Sequence, residues 1–171
     1  MESVLVSLVS MAMVILSTVI MTVSTFHSAS KIADAWRTME QISSSVARTD
    51  ITVVPPETYQ DGPLEIVVEN KGHTNMSDFS SWDVIVQYQS GSSRYLAYGE
   101  YPPAGDQWAI KEIYIAGGQP EVFDRGILDP AELMTVSLNL APEIPAGEMA
   151  KVTISTSNGV TSQCFVARVG Q

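Results

Sequence analysis

The sequence predicts an α+β protein in which one long apolar N-terminal helix precedes an antiparallel β-sandwich. Residues 3–30 carry no formal charge when histidine is counted as neutral, and they are long enough to cross a bilayer as a helix, which takes about 20 apolar residues. Residues 31–50 keep a helical periodicity with a mixed composition. From residue 51 onward, short alternating segments are separated by turn-forming residues, which is typical of a β-sandwich.

Large apolar residues recur every three or four positions along the first part of this helix, which predicts a continuous apolar stripe. Small serines interleave with them and would let helices approach closely, so we expect the helix to pack against other copies of itself. The alternative is a single-pass anchor that merely tolerates the serines. The residues expected in these helix–helix contacts are Val4, Leu8, Met11, Ile15, Val19, Phe26 and Trp36.

The start of the chain differs from a secretory signal. The only charge ahead of the apolar run is Glu2, whereas a secretory signal opens with lysine or arginine and closes on a small-residue cleavage site. The apolar segment is therefore expected to be kept and to continue into the amphipathic helix. Lys31, Arg37 and Arg48 follow it, but mixed with acidic residues they are a weak orientation signal.

The β part of the chain is predicted to begin near residue 51, so the expected domains are 1–50 for the helix and 51–171 for the sandwich. Asn158 and Gly159 form a hairpin signal, because both residue types tolerate positive φ. Trp82 is expected to point into the core on the same face as Val84. The predicted strands cover residues 51–54, 64–70, 82–88, 94–98, 108–115, 134–140, 148–156 and 160–169.

The composition excludes several classes of function. The net charge of −10 and the pI of about 4.4 argue against nucleic-acid binding, which requires clustered lysine and arginine, and suit a protein that must stay soluble outside a cell. The single cysteine, Cys164, excludes a disulfide within the chain. Because it lies in an alternating apolar segment, we expect it to be buried as a small hydrophobic residue.

No constellation of residues predicts catalysis, a cofactor or a bound metal. The two histidines, His27 and His73, fall in different parts of the chain, and there is no phosphate-binding loop, HExxH or GxSxG motif. Asp78 and Asp83 do not have the spacing of an EF-hand. Asn75 begins an N-x-S sequence in a predicted loop, which makes it a possible N-glycosylation site if the protein is exported.

Beyond these patterns, the sequence resembles the archaellin and archaeal-type pilin group of the type IV filament superfamily. The resemblance is carried by the N-terminal helix, by LEIVVENKGHTNMSDFSSWDVIVQY at 64–88, and by GILDPAELMTVSLNL and PAGEMAKVTISTSNGV at 126–140 and 145–160. Bacterial type IV pilins have glutamate at the fifth mature position, whereas this chain has Leu5, which fits archaellins better. Archaellins usually begin with a glycine-containing sequence, but the first glycine here is Gly62.

The resemblance implies an immunoglobulin-like sandwich and a structural role in an extracellular helical filament used for swimming. It also implies three partners, which are identical subunits, the cytoplasmic membrane before assembly, and the filament assembly machinery. The alternatives are an adhesive pilin, a minor envelope or stator component of the same machinery, and a single-pass surface module. Such a module would bind its ligand through sandwich loops, for example those at 102–103 and 117–118.

Overall fold

The computed structural model describes residues 2–115, 117–124 and 126–170 and divides into two compact units, Met1–Ser43 and Ser44–Gln171. Helix α1 runs without interruption over Glu2–Arg48, a length of 47 residues. No proline or glycine occurs before Pro55, so nothing in the sequence breaks the helical hydrogen-bond ladder. The predicted continuous helix is therefore confirmed.

Nine β-strands and one short 3₁₀ helix follow in the described part of the chain. All eight predicted strands are present. One additional strand, Gln119–Pro120, pairs with the end of the strand before it, after a turn in which Gly117 and Gly118 take positive φ. The strands are β1 (Ile51–Val54), β2 (Leu64–Asn70), β3 (Asp83–Tyr88), β4 (Ser93–Tyr98), β5 (Gln107–Ile115), β6 (Gln119–Pro120), β7 (Leu133–Asn139), β8 (Met149–Ser155) and β9 (Thr161–Ala167), and the 3₁₀ helix is Phe79–Ser81.

The strands follow the order β1-β2-β7-β5-β4-β3-β8-β9, with β6 on β5. Strands β1, β2, β7 and β5 form one layer of the sandwich, and β4, β3, β8 and β9 form the other. The two ends of this order meet, because the Val53 N–H donates to the Ser162 Oγ at 3.1 Å. The predicted antiparallel sandwich is confirmed, except that β4 and β5 pair in parallel over two residues, Ala97 with Gln107 and Tyr98 with Trp108.

The sandwich core is built from the alternating faces of these strands. Trp82 is only 1% exposed and shares the buried face with Val84, Val86 and Tyr88, so its predicted core position is confirmed. Ile85, on the other face of β3, is 42% exposed. Cys164 is buried as expected, and this burial raises the pKa of its thiol to about 11.

The β8–β9 hairpin differs in detail from the expected tight turn. Gly159 has a φ of 84°, but Asn158 is not among the residues with positive φ. The Thr156 N–H donates to the Val160 carbonyl and the Gly159 N–H to the Thr156 carbonyl, both at 2.9 Å, which gives a loop longer than two residues. Asn158 is thereby free to use its side chain for contacts outside the turn.

Candidate functional site

The apolar helix is the most prominent functional surface in the described residues. The seven residues predicted for a filament core are all strongly exposed in the single chain, from 54% for Val19 to 71% for Phe26. Such a row of exposed apolar side chains is not a stable surface in water. The helix therefore requires a covering that the single chain does not supply.

Apolar residues also occupy the other sides of this helix. Leu5, Met13, Val14 and Met21 lie away from the predicted stripe and are 65–74% exposed. None of the most apolar stretch of this helix is buried in the single chain. A helix that is apolar all round belongs in a membrane or in the core of a larger assembly, and this helix is long and apolar enough to cross a membrane by length and composition.

Six hydroxyl groups in the apolar half have their hydrogen-bond partner within the helix itself. Each of the six donates to the backbone carbonyl four residues earlier, as in Ser17 to Met13, Thr18 to Val14 and Thr22 to Thr18, all at 2.8 Å. This pattern removes the need for water at these positions. These six residues are therefore compatible with an apolar environment.

The second half of helix α1 has two distinct faces. Exposed apolar residues recur on one side, whereas Asp34 and Arg37 lie on the other and approach each other to 3.8 Å. Both charged side chains are more than 70% exposed, so this pair contributes little stability. The apolar face comprises Ile32, Trp36, Met39, Ile42 and Val46.

The last helical turn belongs to the β unit and is held there by polar contacts. The Asn158 Nδ2 group donates to the Thr49 Oγ1 at 2.7 Å and to the Ser45 Oγ at 3.2 Å. The His73 N–H donates to the Arg48 carbonyl at 2.8 Å, which caps an otherwise unpaired carbonyl at the helix end.

Gly72 is required beside this helix end. A Cβ atom at position 72 would lie 2.5 Å from the Arg48 carbonyl oxygen and 2.6 Å from the Asp50 nitrogen. Real Cβ atoms do not approach backbone so closely, and the backbone cannot move aside without breaking the contacts described above. Sequence patterns do not reveal this cluster, because its hydrogen bonds join segments far apart in the chain.

The remaining residues singled out from the sequence lie apart from one another. His27 lies within the apolar helix and His73 in the loop after β2. Asn75 is exposed, as glycosylation would require. The Asp78 carboxylate accepts hydrogen bonds from the Ser81 and Ser80 hydroxyls, which lower its pKa, and Asp83 accepts one from the Tyr95 hydroxyl at 3.0 Å.

Comparison with known proteins gives one matching family and several structures of similar fold. The family model described as archaeal-type flagellin matches residues 4–164. No curated protein matched the chain. Among solved structures, the archaeal flagellin FlaB1 from Methanocaldococcus jannaschii has a TM-score of 0.54 at 10% identity, and the match covers 71% of this chain and 92% of that one.

Two further similar structures come from the archaellum of Sulfolobus acidocaldarius. The periplasmic stator protein FlaG has a TM-score of 0.53 at 14% identity, with 68% of this chain and 98% of that one covered. The stator protein complex of FlaF and FlaG has a TM-score of 0.50 at 15% identity, with 67% and 86% covered. At these identities, the matches establish the shared fold.

Proposed function

As a member of the archaeal-type flagellin family, this chain is a subunit of an extracellular filament, and we propose that it polymerises with identical copies through helix α1. In this proposal residues 1–50 supply the filament core and the membrane anchor, and residues 51–171 form the outer domain. The residues that we place in helix–helix contacts are Val4, Leu8, Met11, Ile15, Val19, Phe26 and Trp36.

The proposal rests on the contrast between the β unit, whose apolar residues are buried, and the helix, whose apolar residues are exposed. The β unit has a complete core of its own, in which Leu64, Val84 and Val136 are 0% exposed. The helix leaves its large apolar residues uncovered, for example Leu8 at 68%. Burial of apolar surface on association stabilises a complex by about 25 cal/mol per Å², so a bundle of such helices would supply the missing cover.

The length of the helix suits two successive environments. At 1.5 Å per residue, the helix is about 70 Å long, whereas the hydrocarbon core of a bilayer is about 30 Å thick. The uncharged half would lie in the cytoplasmic membrane before assembly, and the charged half would project from it. Transfer to the filament by the assembly machinery would then replace lipid contacts with contacts to other helices.

An open filament follows from contacts between different surfaces of identical subunits. Such heterologous contacts generate a helical polymer when the rotation does not close into a ring. The acidic outer domain would face water, where its charge favours solubility. We propose swimming as the role of the filament, with adhesion as the alternative role.

A stator-like role is the second candidate, since the fold is also similar to that of FlaG. A stator component would be scarce and would remain in the envelope, whereas a major subunit would form the bulk of the surface filament. The exposed apolar faces of both halves of helix α1 favour polymerisation, because a single-pass anchor needs only the first half to be apolar.

Electron microscopy of surface filaments, combined with mass spectrometry of the purified material, tests this proposal. We expect this chain to be the major protein of the filament and the density to show helix α1 inside and the β domain outside. A fragment of residues 44–171 serves as control and should stay monomeric. Filaments that lack the chain, or polymerisation of the control fragment, would contradict the proposal.

A further inference from the structure

We infer that the outward face of β3, β8 and β9 binds the Val122–Phe123 loop of an adjacent copy, a contact that rests on the proposed polymerisation. The loop lies between β6 and β7, in the opposite layer of the sandwich from the face that would bind it. The contact would join outer domains, in addition to the contacts between helices in the filament core.

Phe123 is the most exposed large apolar residue of the described chain. Its side chain is 93% exposed and the adjacent Val122 is 64% exposed. Aromatic side chains in protein interfaces serve as anchors that fill a pocket on the partner. An isolated exposed apolar residue is ordinary, but two adjacent ones suit insertion into a second molecule.

The Glu121 side chain holds the segment that carries Phe123. Its Oε1 atom accepts hydrogen bonds from the N–H groups of Phe123 at 2.8 Å and of Asp124 at 3.3 Å, and these bonds lower the pKa of the Glu121 carboxyl. The Ile127 N–H donates to the Asp124 carbonyl at 2.8 Å. A loop that is already ordered loses less conformational entropy on binding.

The binding face contains a shallow apolar depression. Met149 is 50% exposed and Phe165 62% exposed, and together with Gln87, Gln89 and Lys151 they line a cavity of about 330 Å³. A cavity of about 150 Å³ accommodates benzene, so the depression has room for the phenyl ring of Phe123. Strand register places Lys151 between Gln87 and Phe165 on adjacent strands.

Lys151 supplies this face with a positive charge that suits the loop. The outward positions of β3, β8 and β9 carry only two charged residues, Asp83 and Lys151, although the chain has a net charge of −10. In the described residues Lys151 belongs to none of the ion pairs. The loop sequence carries Glu121, Asp124 and Arg125, a net charge of −1. Lys151 would therefore attract the acidic loop of the next copy.

Disulfide cross-linking of assembled filaments tests the contact. In a Cys164→Ala background, the chain would carry Phe123→Cys together with Phe165→Cys. Oxidised filaments dissolved in denaturant without reductant should give a ladder of oligomers, because each copy carries both surfaces of a heterologous contact. Variants with only Phe123→Cys or only Phe165→Cys should give monomers. Phe123→Cys combined with Glu65→Cys should also give monomers, because Glu65 lies in β2, in the layer that does not carry the binding face.

Four outcomes are distinguished by this design. Filaments that assemble with both cysteines but give no ladder would overturn the contact while leaving the filament proposal intact. Failure of the unsubstituted chain to form filaments would overturn the filament proposal and the contact together, whereas, if only the Cys164→Ala parent fails, the comparison of Phe123→Ala with the unsubstituted chain decides. If only the double-cysteine variant fails to assemble, the temperature at which Phe123→Ala filaments dissociate tests the contact instead. The expected result is a dissociation temperature several degrees below that of parent and Tyr101→Ala filaments, and an unchanged temperature would overturn the contact.

Discussion

The Asn158 side-chain amide lies 2.7 Å from the Thr49 hydroxyl and thereby joins the β8–β9 hairpin to the residue that follows helix α1. Thr49 is only 7% exposed, and its hydroxyl also donates to the Ser45 carbonyl at 2.9 Å. The Asn158 Oδ1 atom accepts a hydrogen bond from the Thr156 hydroxyl at 2.6 Å. The Nδ2 group of this amide therefore contacts the end of the helix, while its Oδ1 atom is held within the hairpin.

We expect Asn158→Ala to lower the free energy of unfolding of the 44–171 fragment by about 1–3 kcal/mol, because it leaves partly buried hydroxyls without their partner. Urea denaturation followed by circular dichroism measures this change. Ser157→Ala is the matched control, since Ser157 is an exposed neighbour in the same turn and should change stability by less than about 0.5 kcal/mol. Equal effects of the two substitutions would show that the amide contacts contribute nothing.

Trp82→Ala should lower the free energy of unfolding of the same fragment by about 3–5 kcal/mol, the usual cost of truncating a buried aromatic residue. Trp82 is 1% exposed, and its ring meets that of Phe79 edge-on at a centroid distance of 5.2 Å. Ile85→Ala on the exposed face of β3 is the control and should cost much less. A denaturant midpoint for Trp82→Ala close to that of the parent would contradict the core position.

Cys164 should make stability fall in alkaline solution. Burial raises the pKa of its thiol from an ordinary value of 9.0 to about 11, so between these values the unfolded chain loses the proton while the folded chain keeps it. The unfolded state then binds fewer protons, and stability decreases as pH rises through this window. Below it the thiol is protonated in both states and the contribution is fully present.

The measurement compares the parent fragment with Cys164→Ala, because tyrosine and lysine residues also titrate in alkaline solution. Urea midpoints at about pH 8 and about pH 10.5 should fall further for the parent than for the variant. The same decrease in both proteins would show that Cys164 makes no contribution to the alkaline loss of stability.

Much of the fold could be predicted because its signals are local in sequence. Helix α1 follows from an uninterrupted apolar and amphipathic periodicity without proline or glycine, and the alternating pattern from Trp82 to Tyr88 identifies both the strand and its buried face. Each signal requires only neighbouring residues. The division between helix and strands near Thr49 is likewise marked by a change of period.

Other features depend on contacts between distant segments and could not be predicted in this way. The bonds from Asn158 to Ser45 and Thr49 span 113 and 109 residues. The parallel pairing of β4 with β5 depends on how the chain returns between the two layers, which no local pattern records. Phe123 is an apolar residue among turn-forming residues, which is only a weak indication of an exposed contact, and its exposure of 93% is visible only in the structure.

Asn75 should carry a glycan in filaments taken from the native organism. Its side chain is exposed, and the adjacent Met76 is tied to Leu128 by two backbone hydrogen bonds of 3.0 and 2.8 Å, so the site lies on a fixed part of the surface. Mass spectrometry of proteolytic peptides should show added mass on the peptide that contains Asn75. Ser77→Ala should abolish the addition because it destroys the N-x-S sequence. An unmodified Asn75 peptide from native filaments would contradict the prediction.

Ile15→Asp should prevent filament assembly without destabilising the β domain. Ile15 is 55% exposed in the single chain and lies on the apolar stripe that we place in the filament core. A buried carboxylate without a partner costs several kcal/mol, and this cost recurs at every subunit. Cells that produce this variant should contain the protein, as judged by immunoblotting, but show no filaments by electron microscopy.

Two controls separate this effect from a general sensitivity of the helix. Ile15→Leu keeps the position apolar and should assemble normally. Gln41→Asp adds the same charge one helical turn after Arg37, on the side opposite the apolar face formed around Trp36, and filaments should still form because that side accommodates charged residues. Normal filaments from Ile15→Asp would instead place Ile15 against water and remove it from the proposed core. Loss of filaments in all three variants would show that the helix tolerates no substitution and that the position of the charge is immaterial.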